Sequence, residues 1–174
     1  MRGLLYLAMA GCWATPVKTP EPSHAPFVLS QHGAGPITDQ TPATLNALRD
    51  ALPELRVVPK NDPNLEFDLY DDGKPIGFVV PNDDGKIYNV HVTSATIAVD
   101  GKSWRAGSTF QGSRAIDNCE CWGGNPICYK KGEHLAVAFQ RSCLDEVDPR
   151  SLRVLDGLVI QRVIWSNEPL GAAD

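Results

Sequence analysis

Four cysteines in the second half of the chain are the residues best able to do chemistry. Cys119, Cys121, Cys128 and Cys143 follow the spacing C-x-C-x6-C-x14-C. This spacing lacks the paired C-x2-C knuckles that hold zinc, so we expect no metal site. It also differs from the C-x-x-C arrangement that lowers a thiol pKa in redox-active dithiols. The even number of cysteines favours two disulfides, provided that the chain reaches an oxidising compartment.

The N-terminal segment indicates such a compartment. Arg2 precedes an apolar run from Leu4 to Ala10, which ends at Gly11 and Cys12. The run is far shorter than the roughly 20 residues that span a bilayer, so we interpret residues 1–11 as a removable lipoprotein signal peptide. Cys12 is then the lipidation site, carrying palmitate and similar acyl chains. In the alternative, the segment is a plain secretory signal and Cys12 has no role.

The residue after the lipidated cysteine indicates which membrane holds the anchor. Enteric lipoproteins that stay in the inner membrane carry aspartate there, whereas this chain has Trp13. By that likeness we expect a lipid anchor in the outer membrane, with the folded part facing the periplasm. An exported chain also allows the disulfides to form.

Two pairings of the four cysteines are reasonable. A bond between Cys119 and Cys121 is disfavoured, because residues two apart on an extended chain have poor bonding geometry. We favour Cys119 with Cys128 and Cys121 with Cys143, and the crossed pairing stays open. Either bridge should stabilise the fold by about 3 kcal/mol on the chain-entropy estimate.

No catalytic motif is present. The sequence has no G-x-S-x-G elbow and no H-E-x-x-H helix, and Gly101 to Ser103 lacks the earlier glycine of a phosphate loop. Glu133 and His134 are the only adjacent acid and imidazole, and a polar turn beside a strand explains them better. We therefore expect no catalytic residues, no cofactor and no enzyme, with His134 kept as a possible binding residue.

Trp122 is the second possible binding residue. It lies in the segment Cys121 to Pro126, which two cysteine bridges would fix in place. An aromatic side chain there has little core to enter and could present a preorganised contact, since tryptophan is common at binding hot spots. Trp165 and Phe139, in contrast, are expected in the core.

The charge of the chain excludes some partners. Its formal net charge is −5, and lysine and arginine form no cluster or stripe. We expect no nucleic-acid binding, because nothing is arranged to neutralise phosphates.

The composition divides the chain into four parts. After the signal peptide, residues 12–36 contain the lipidated cysteine and five of the chain's prolines, which predict an extended tether. An alternative is an ordered arm along the domain, supported by the apolar residues Phe27 to Leu29. Residues 37–166 are expected to form a single α+β periplasmic domain, followed by a flexible tail over residues 167–174.

The apolar periodicity predicts an α+β fold with one antiparallel sheet. Thr41 and Pro42 would begin a helix that stops before Pro53, and further short helices are expected over residues 108–116 and 149–156. Short apolar runs separated by turn signals predict about six to seven strands, within residues 55–58, 65–70, 76–80, 87–93, 127–129, 134–140 and 158–165. The order suggests a pseudo-duplicated helix-plus-meander.

Several short motifs occur in an order that resembles a known family. They are Gly35 to Thr38, Thr41-Pro42, Asp84 to Ile87 leading to Val90 to Val92, Cys119 with Cys128, His134 before Phe139, and Val163 to Trp165. Together they resemble the RpoE-regulated lipoprotein family of proteobacterial envelopes. The resemblance implies an outer-membrane lipoprotein with involvement in envelope stress and carries over no catalytic or binding residues. Cys121 and Cys143 are additions to the family's pattern.

Our leading hypothesis is a non-enzymatic module that binds an envelope protein or a cell-wall component through its sheet face or the cysteine-fixed loop. The alternatives are an envelope hydrolase that uses His134 and a purely structural role in maintaining the envelope.

Overall fold

The fold is dominated by β-strands. In the computed structural model, the described residues are 27–61, 65–143 and 155–172. The predicted signal peptide and Cys12 lie outside these ranges. The strands are β1 (Val28–Ser30), β2 (Gly33–Ala34), β3 (Arg56–Pro59), β4 (Phe67–Asp71), β5 (Lys74–Pro81), β6 (Ile87–Val92), β7 (Ala98–Val99), β8 (Asn118–Trp122), β9 (Asn125–Tyr129), β10 (Leu135–Phe139) and β11 (Ile160–Ser166). One α-helix, α1 (Leu45–Ala51), occurs in the described ranges, together with a 3-10 turn at Ser113–Ala115.

The predicted α+β fold class is therefore wrong, because the fold is mostly β. The described part of the chain contains eleven strands and one α-helix, in place of the expected six to seven strands and two or three helices. Eight strands form one antiparallel sheet in the order β3-β4-β5-β6-β11-β10-β9-β8, and β2-β1-β7 form a second, small sheet. The β6–β11 pair joins two meanders into the large sheet. Among the described residues, no α-helix lies between the first meander and the second, so the predicted repeat of helix plus meander is also wrong.

The helix expected over residues 108–116 does not form, because its backbone bonds elsewhere. The N–H of Phe110 donates to Leu158 O at 2.8 Å, and the N–H of Gly157 donates to Phe110 O at 3.0 Å. Phe110 is fully buried from this irregular segment, where its ring meets Phe139 edge to face at 5.2 Å. Most of the helix expected over residues 149–156 lies outside the described residues.

Helix α1 begins three residues later than predicted. Thr44 is the N-cap, and its side chain accepts a hydrogen bond from the N–H of Ala47. Thr41 instead closes a turn, accepting from the N–H of Thr38 at 3.0 Å. The helix ends at Ala51 because Pro53 restricts the residue before it.

The large sheet has two different faces. Its core face carries the main hydrophobic core, which includes the buried side chains of Leu48, Val90, Phe139 and Trp165. The burial of Phe139 and Trp165 confirms their predicted place. The second face carries a smaller cluster, here called the second-face cluster, which consists of Ile127, Tyr129, Ala136, Ala138, Ile164 and Leu170.

Residues 28–34 form an ordered arm along the domain. Strand β1 pairs in parallel with β7, and Leu29 and Ala34 are fully buried. These residues fall in the segment assigned to the tether, and their arrangement is that of the alternative interpretation.

Candidate functional site

The candidate site is the hairpin of β8 and β9, here called the braced hairpin. Trp122 pairs with Asn125 across a two-residue turn of Gly123 and Gly124. Both glycines have positive φ, +57° and +86°, as a type I′ turn requires. Strand β8 is absent from the strands predicted above, because Asn-Cys-Glu-Cys-Trp has no run of strongly β-forming apolar residues.

Two disulfides hold this hairpin. Cys119 is bonded to Cys128 on the facing strand, with a Cα–Cα distance of 4.1 Å, and Cys121 is bonded to Cys143 at 5.9 Å. This is the pairing that the sequence favoured. The first bond ties β8 to its neighbour, and the second ties β8 to the segment after β10. The edge of the sheet is therefore covalently fixed at two successive points.

The indole of Trp122 has a fixed position on the second face. The side chain is half-buried and packs against the second-face cluster. Its Nε1–H donates to Glu120 Oε2 at 3.1 Å. Glu120 is exposed, and its Oε1 accepts from the Tyr129 hydroxyl and from Asn118 Nδ2. One carboxylate thus orients both aromatic side chains of the hairpin.

Tyr129 is the buried support of this arrangement. Burial, together with the hydrogen bond to Glu120, raises the pKa of Tyr129 to about 12, and the hydrogen bond from Asn118 opposes the rise. The phenol therefore stays protonated and acts as a donor. Gly171 packs against the Tyr129 ring, so closely that a Cβ at position 171 would lie 2.9 Å from Tyr129 Cε2.

The structure does not assemble Glu133 and His134 into an acid–base pair. His134 Nδ1 lies 2.8 Å from Ser166 O, so the ring N–H donates to a backbone carbonyl. Glu133 Oε2 accepts from Gln31 Nε2 at 2.9 Å and from Lys102 Nζ at 3.0 Å. Burial alone would raise the Glu133 pKa, but Lys102 and the other donors outweigh it and lower this pKa. Glu133 and His134 instead hold the arm of residues 28–34 in place, because the backbone N–H of His134 also donates to Gln31 Oε1.

A row of stacked side chains on the second face was missed by sequence reasoning. The Phe78 and His91 rings stack with their centroids 4.4 Å apart. Lys60 Nζ lies 4.4 Å from the centroid of the Phe78 ring and forms an ion pair with Glu66. Burial, with the nearby charges of Arg162 and Lys60, lowers the pKa of His91 to about 3. The imidazole is therefore neutral at physiological pH.

Three polar atoms near this row lack partners. Asn89 Oδ1, His91 Nδ1 and Arg162 Nε are buried, and none has a hydrogen bond in the described part of the chain. The alternation of Asn89 and His91 with Val90 and Val92 in β6 could have shown that one face is polar. It could not have shown that these polar side chains are buried.

An open cavity of about 530 Å³ lies at the end of the large sheet. Its lining consists of Ala43, Leu65, Glu66, Phe67, Val80, Pro81, Asn82, Asp83 and Gly85. Leu65 at its rim is 69% exposed and has a φ of +54°. The residues that the sequence predicts as site residues, which are the cysteines, Trp122 and His134, are absent from this lining.

The described residues hold no group of three or more histidine, cysteine, aspartate or glutamate side chains placed to bind a metal. In the same residues, no helix has the length and apolar character needed to cross a membrane.

Comparison with known proteins gives a likeness in fold. No family model matches the chain, and no curated protein matches it. A solved structure titled as the uncharacterized protein yfeY from Escherichia coli superposes with a TM-score of 0.56 at 23% sequence identity. The match covers 80% of this chain and 99% of that chain. The chain is similar to yfeY in fold.

Proposed function

We propose that the protein is an outer-membrane lipoprotein of the RpoE-regulated family, anchored through Cys12, whose folded domain is a non-enzymatic binding module in the periplasm. The motifs that resemble this family support the proposal, as does a fold shared with yfeY over nearly all of that chain. In this role the domain binds an envelope protein or a cell-wall component.

The observation that carries the binding role is the rigidity of the braced hairpin around Trp122. A tryptophan contributes much to a contact when it is partly exposed and already oriented, because little side-chain entropy is lost on binding. Here the Glu120 carboxylate holds the indole N–H at 3.1 Å, and two disulfides hold the strand beneath it. These restraints would be present before any partner arrives.

The hydrolase alternative receives no support from the geometry. Its candidate base, His134, donates to the Ser166 carbonyl, and the neighbouring Glu133 carboxylate is directed to Gln31 and Lys102. Neither residue lines the cavity at the end of the sheet.

Labelling and fractionation test the anchor. Cells that express the wild type or Cys12→Ser are fed an alkyne fatty acid, and the membranes are separated on a density gradient. We expect label on the wild type in the outer-membrane fraction and none on Cys12→Ser. An unlabelled wild type that fractionates with soluble proteins would contradict the proposal.

A comparison of variants tests the binding role. Wild type, Trp122→Ala and Tyr88→Ala are cross-linked in envelope extract, and the captured material is compared. Tyr88 is the matched control, because it is an aromatic residue with 40% exposure outside the hairpin. We expect Trp122→Ala to lose material that the wild type and Tyr88→Ala retain. Identical capture by all three proteins would remove the hairpin from the proposal.

A further inference from the structure

The edge of β8 that faces away from β9 has backbone groups that are held in place and have no hydrogen-bond partner among the described residues. Among the strands of the described ranges, β8 is the last of the large sheet and pairs with β9 alone. Trp122 and Asn125 close a two-residue turn, which makes them a hydrogen-bonded pair. Pairs alternate along an antiparallel ladder, so Cys119 and Cys121 occupy positions that are not hydrogen-bonded to β9. Pro126, which has no N–H, faces Cys121, as this alternation requires.

The N–H and C=O groups of Cys119 and Cys121 therefore point away from the sheet. No residue within the ranges 27–61, 65–143 and 155–172 is hydrogen-bonded to these four groups. The same two residues form the disulfides to Cys128 and Cys143. Each residue that presents edge groups is thus fixed by a covalent bond, and the edge cannot fray as most edge strands do.

The opposite edge of the sheet is protected. Strand β3 has four residues, begins with the charged Arg56 and ends with Pro59, which cannot donate a hydrogen bond. Helix α1 packs beside it. Natural proteins commonly guard an edge with charge, proline, short length or a covering helix. Strand β8 has five residues, no proline and a single charged residue, Glu120.

We infer that the β8 edge binds an extended peptide segment of a partner protein by strand addition, through the N–H and C=O groups of Cys119 and Cys121. The inference rests on the proposed binding role and names the partner's chemistry. Added strands gain main-chain hydrogen bonds for affinity and use alternate side chains for specificity. On this edge the alternate side chains are Asn118, Glu120 and Trp122.

Charge complementarity favours another protein over a second copy of this chain. Two β8 strands that use all four groups across a two-fold axis would place Glu120 directly opposite Glu120, and like charges at that position are unfavourable. A segment with a lysine or arginine opposite Glu120 would gain from the same carboxylate. The net charge of −5 also favours a basic partner.

Amide exchange with a defined probe tests the inference. The probe is a capped peptide, Thr-Val-Lys-Val-Lys-Val-Thr, and its matched control carries the same side chains with N-methyl groups on alternate residues. In the free protein the amides of Cys119 and Cys121 should exchange rapidly. Saturation with the probe should slow their exchange by about tenfold or more, because they become main-chain donors. The N-methylated peptide should produce no such change.

Three results would overturn the inference. The first is slow exchange at Cys119 and Cys121 in the free protein, which would mean that the edge is already covered. The second is equal binding of both peptides. The third is a concentration-dependent dimer with the same two amides protected, which would make a second copy the partner.

The charge is tested separately with Glu120→Gln. This variant keeps one acceptor oxygen, which can take the hydrogen bond of either Tyr129 or Trp122, and loses the negative charge. Its affinity for the lysine-containing probe should fall by about two- to fivefold, whereas an unchanged or higher affinity would contradict the predicted pairing.

Failure of the inference and failure of the proposed function give different results. If the wild type captures an envelope partner through Trp122 while the Cys119 and Cys121 amides stay unprotected, the binding role holds and strand addition does not. If no envelope partner is captured but the probe protects both amides, the edge is competent and the proposed biological role fails.

Discussion

The fully buried hydroxyl of Tyr129 donates to the exposed carboxylate of Glu120 on the neighbouring strand. This bond connects the second-face cluster to the outermost strand of the sheet. Because Glu120 also holds the Trp122 indole, the packing of the domain interior determines the orientation of a residue at its surface.

This relationship predicts a strong coupling between Tyr129 and Glu120. Glu120→Ala leaves a buried hydroxyl without its acceptor, and we expect a loss of about 1–3 kcal/mol in the free energy of unfolding. In a Tyr129→Phe background the same substitution should cost less, because the donor is gone. Urea denaturation of the four proteins measures the coupling, and additive losses would show that the bond contributes nothing.

Because Gly171 lies so close to Tyr129, we predict that alanine at position 171 lowers the free energy of unfolding strongly. Gly171→Ala combines a positive φ of +63° with a Cβ placed 2.9 Å from the ring. Gly73→Ala is the matched control, since Gly73 has a φ of +76° and open space around its Cβ position. The free energy of unfolding of this control should fall by about 1 kcal/mol because of backbone strain. Gly171→Ala should lose about 1–3 kcal/mol more from the clash, and equal losses in urea denaturation would contradict the contact.

The two disulfides should open in a fixed order under mild reductant. Cys121 is exposed, whereas Cys128 is fully buried. A reducing thiolate reaches an exposed sulfur first, so Cys121–Cys143 should open before Cys119–Cys128. Timed alkylation followed by peptide mass spectrometry records the order. Opening of Cys119–Cys128 first, or of both bonds together, would disagree with the burial of Cys128.

From the burial of His91 we predict that the protein loses stability in weak acid. Its pKa is lowered from 6.5 to about 3 in the folded protein, so the unfolded chain takes up a proton first as the pH falls. The stability due to neutral His91 is complete above pH 6.5 and decreases from there toward pH 3. Between about pH 6.5 and 4.5, before most carboxylates titrate, His91→Phe should be less sensitive to acid than the wild type. Equal slopes in thermal denaturation across this window would contradict the burial of the imidazole.

Apart from β8, the strands of the two meanders could be predicted because their residues carry clear local signals. Asp71-Asp72-Gly73 and Asp83-Asp84-Gly85 mark hairpins that the structure contains, between β4 and β5 and between β5 and β6. The β-branched run before Ser166 likewise predicts β11. Each of these signals is contained in a few consecutive residues of the sequence.

The remaining parts depend on contacts between distant residues. The sequence predicts a helix through Phe110, Ala115 and Ile116. Backbone hydrogen bonds of Phe110 to Leu158 and Gly157 instead hold this segment in an irregular path. Strand β8 alternates cysteines with polar residues and is recognisable only beside β9. The orientation of Trp122 depends on Glu120 and Tyr129, and a sequence does not show which carboxylate a buried phenol reaches.

Photo-crosslinking in growing cells is the most direct test of the central claim that the braced hairpin is a binding surface. A photoreactive phenylalanine derivative replaces Trp122 in one strain and Tyr88 in another, and the adducts formed on irradiation are identified by mass spectrometry. We predict a defined envelope component linked through position 122 and absent from position 88. No adduct at position 122, or the same adducts from both positions, would contradict the account.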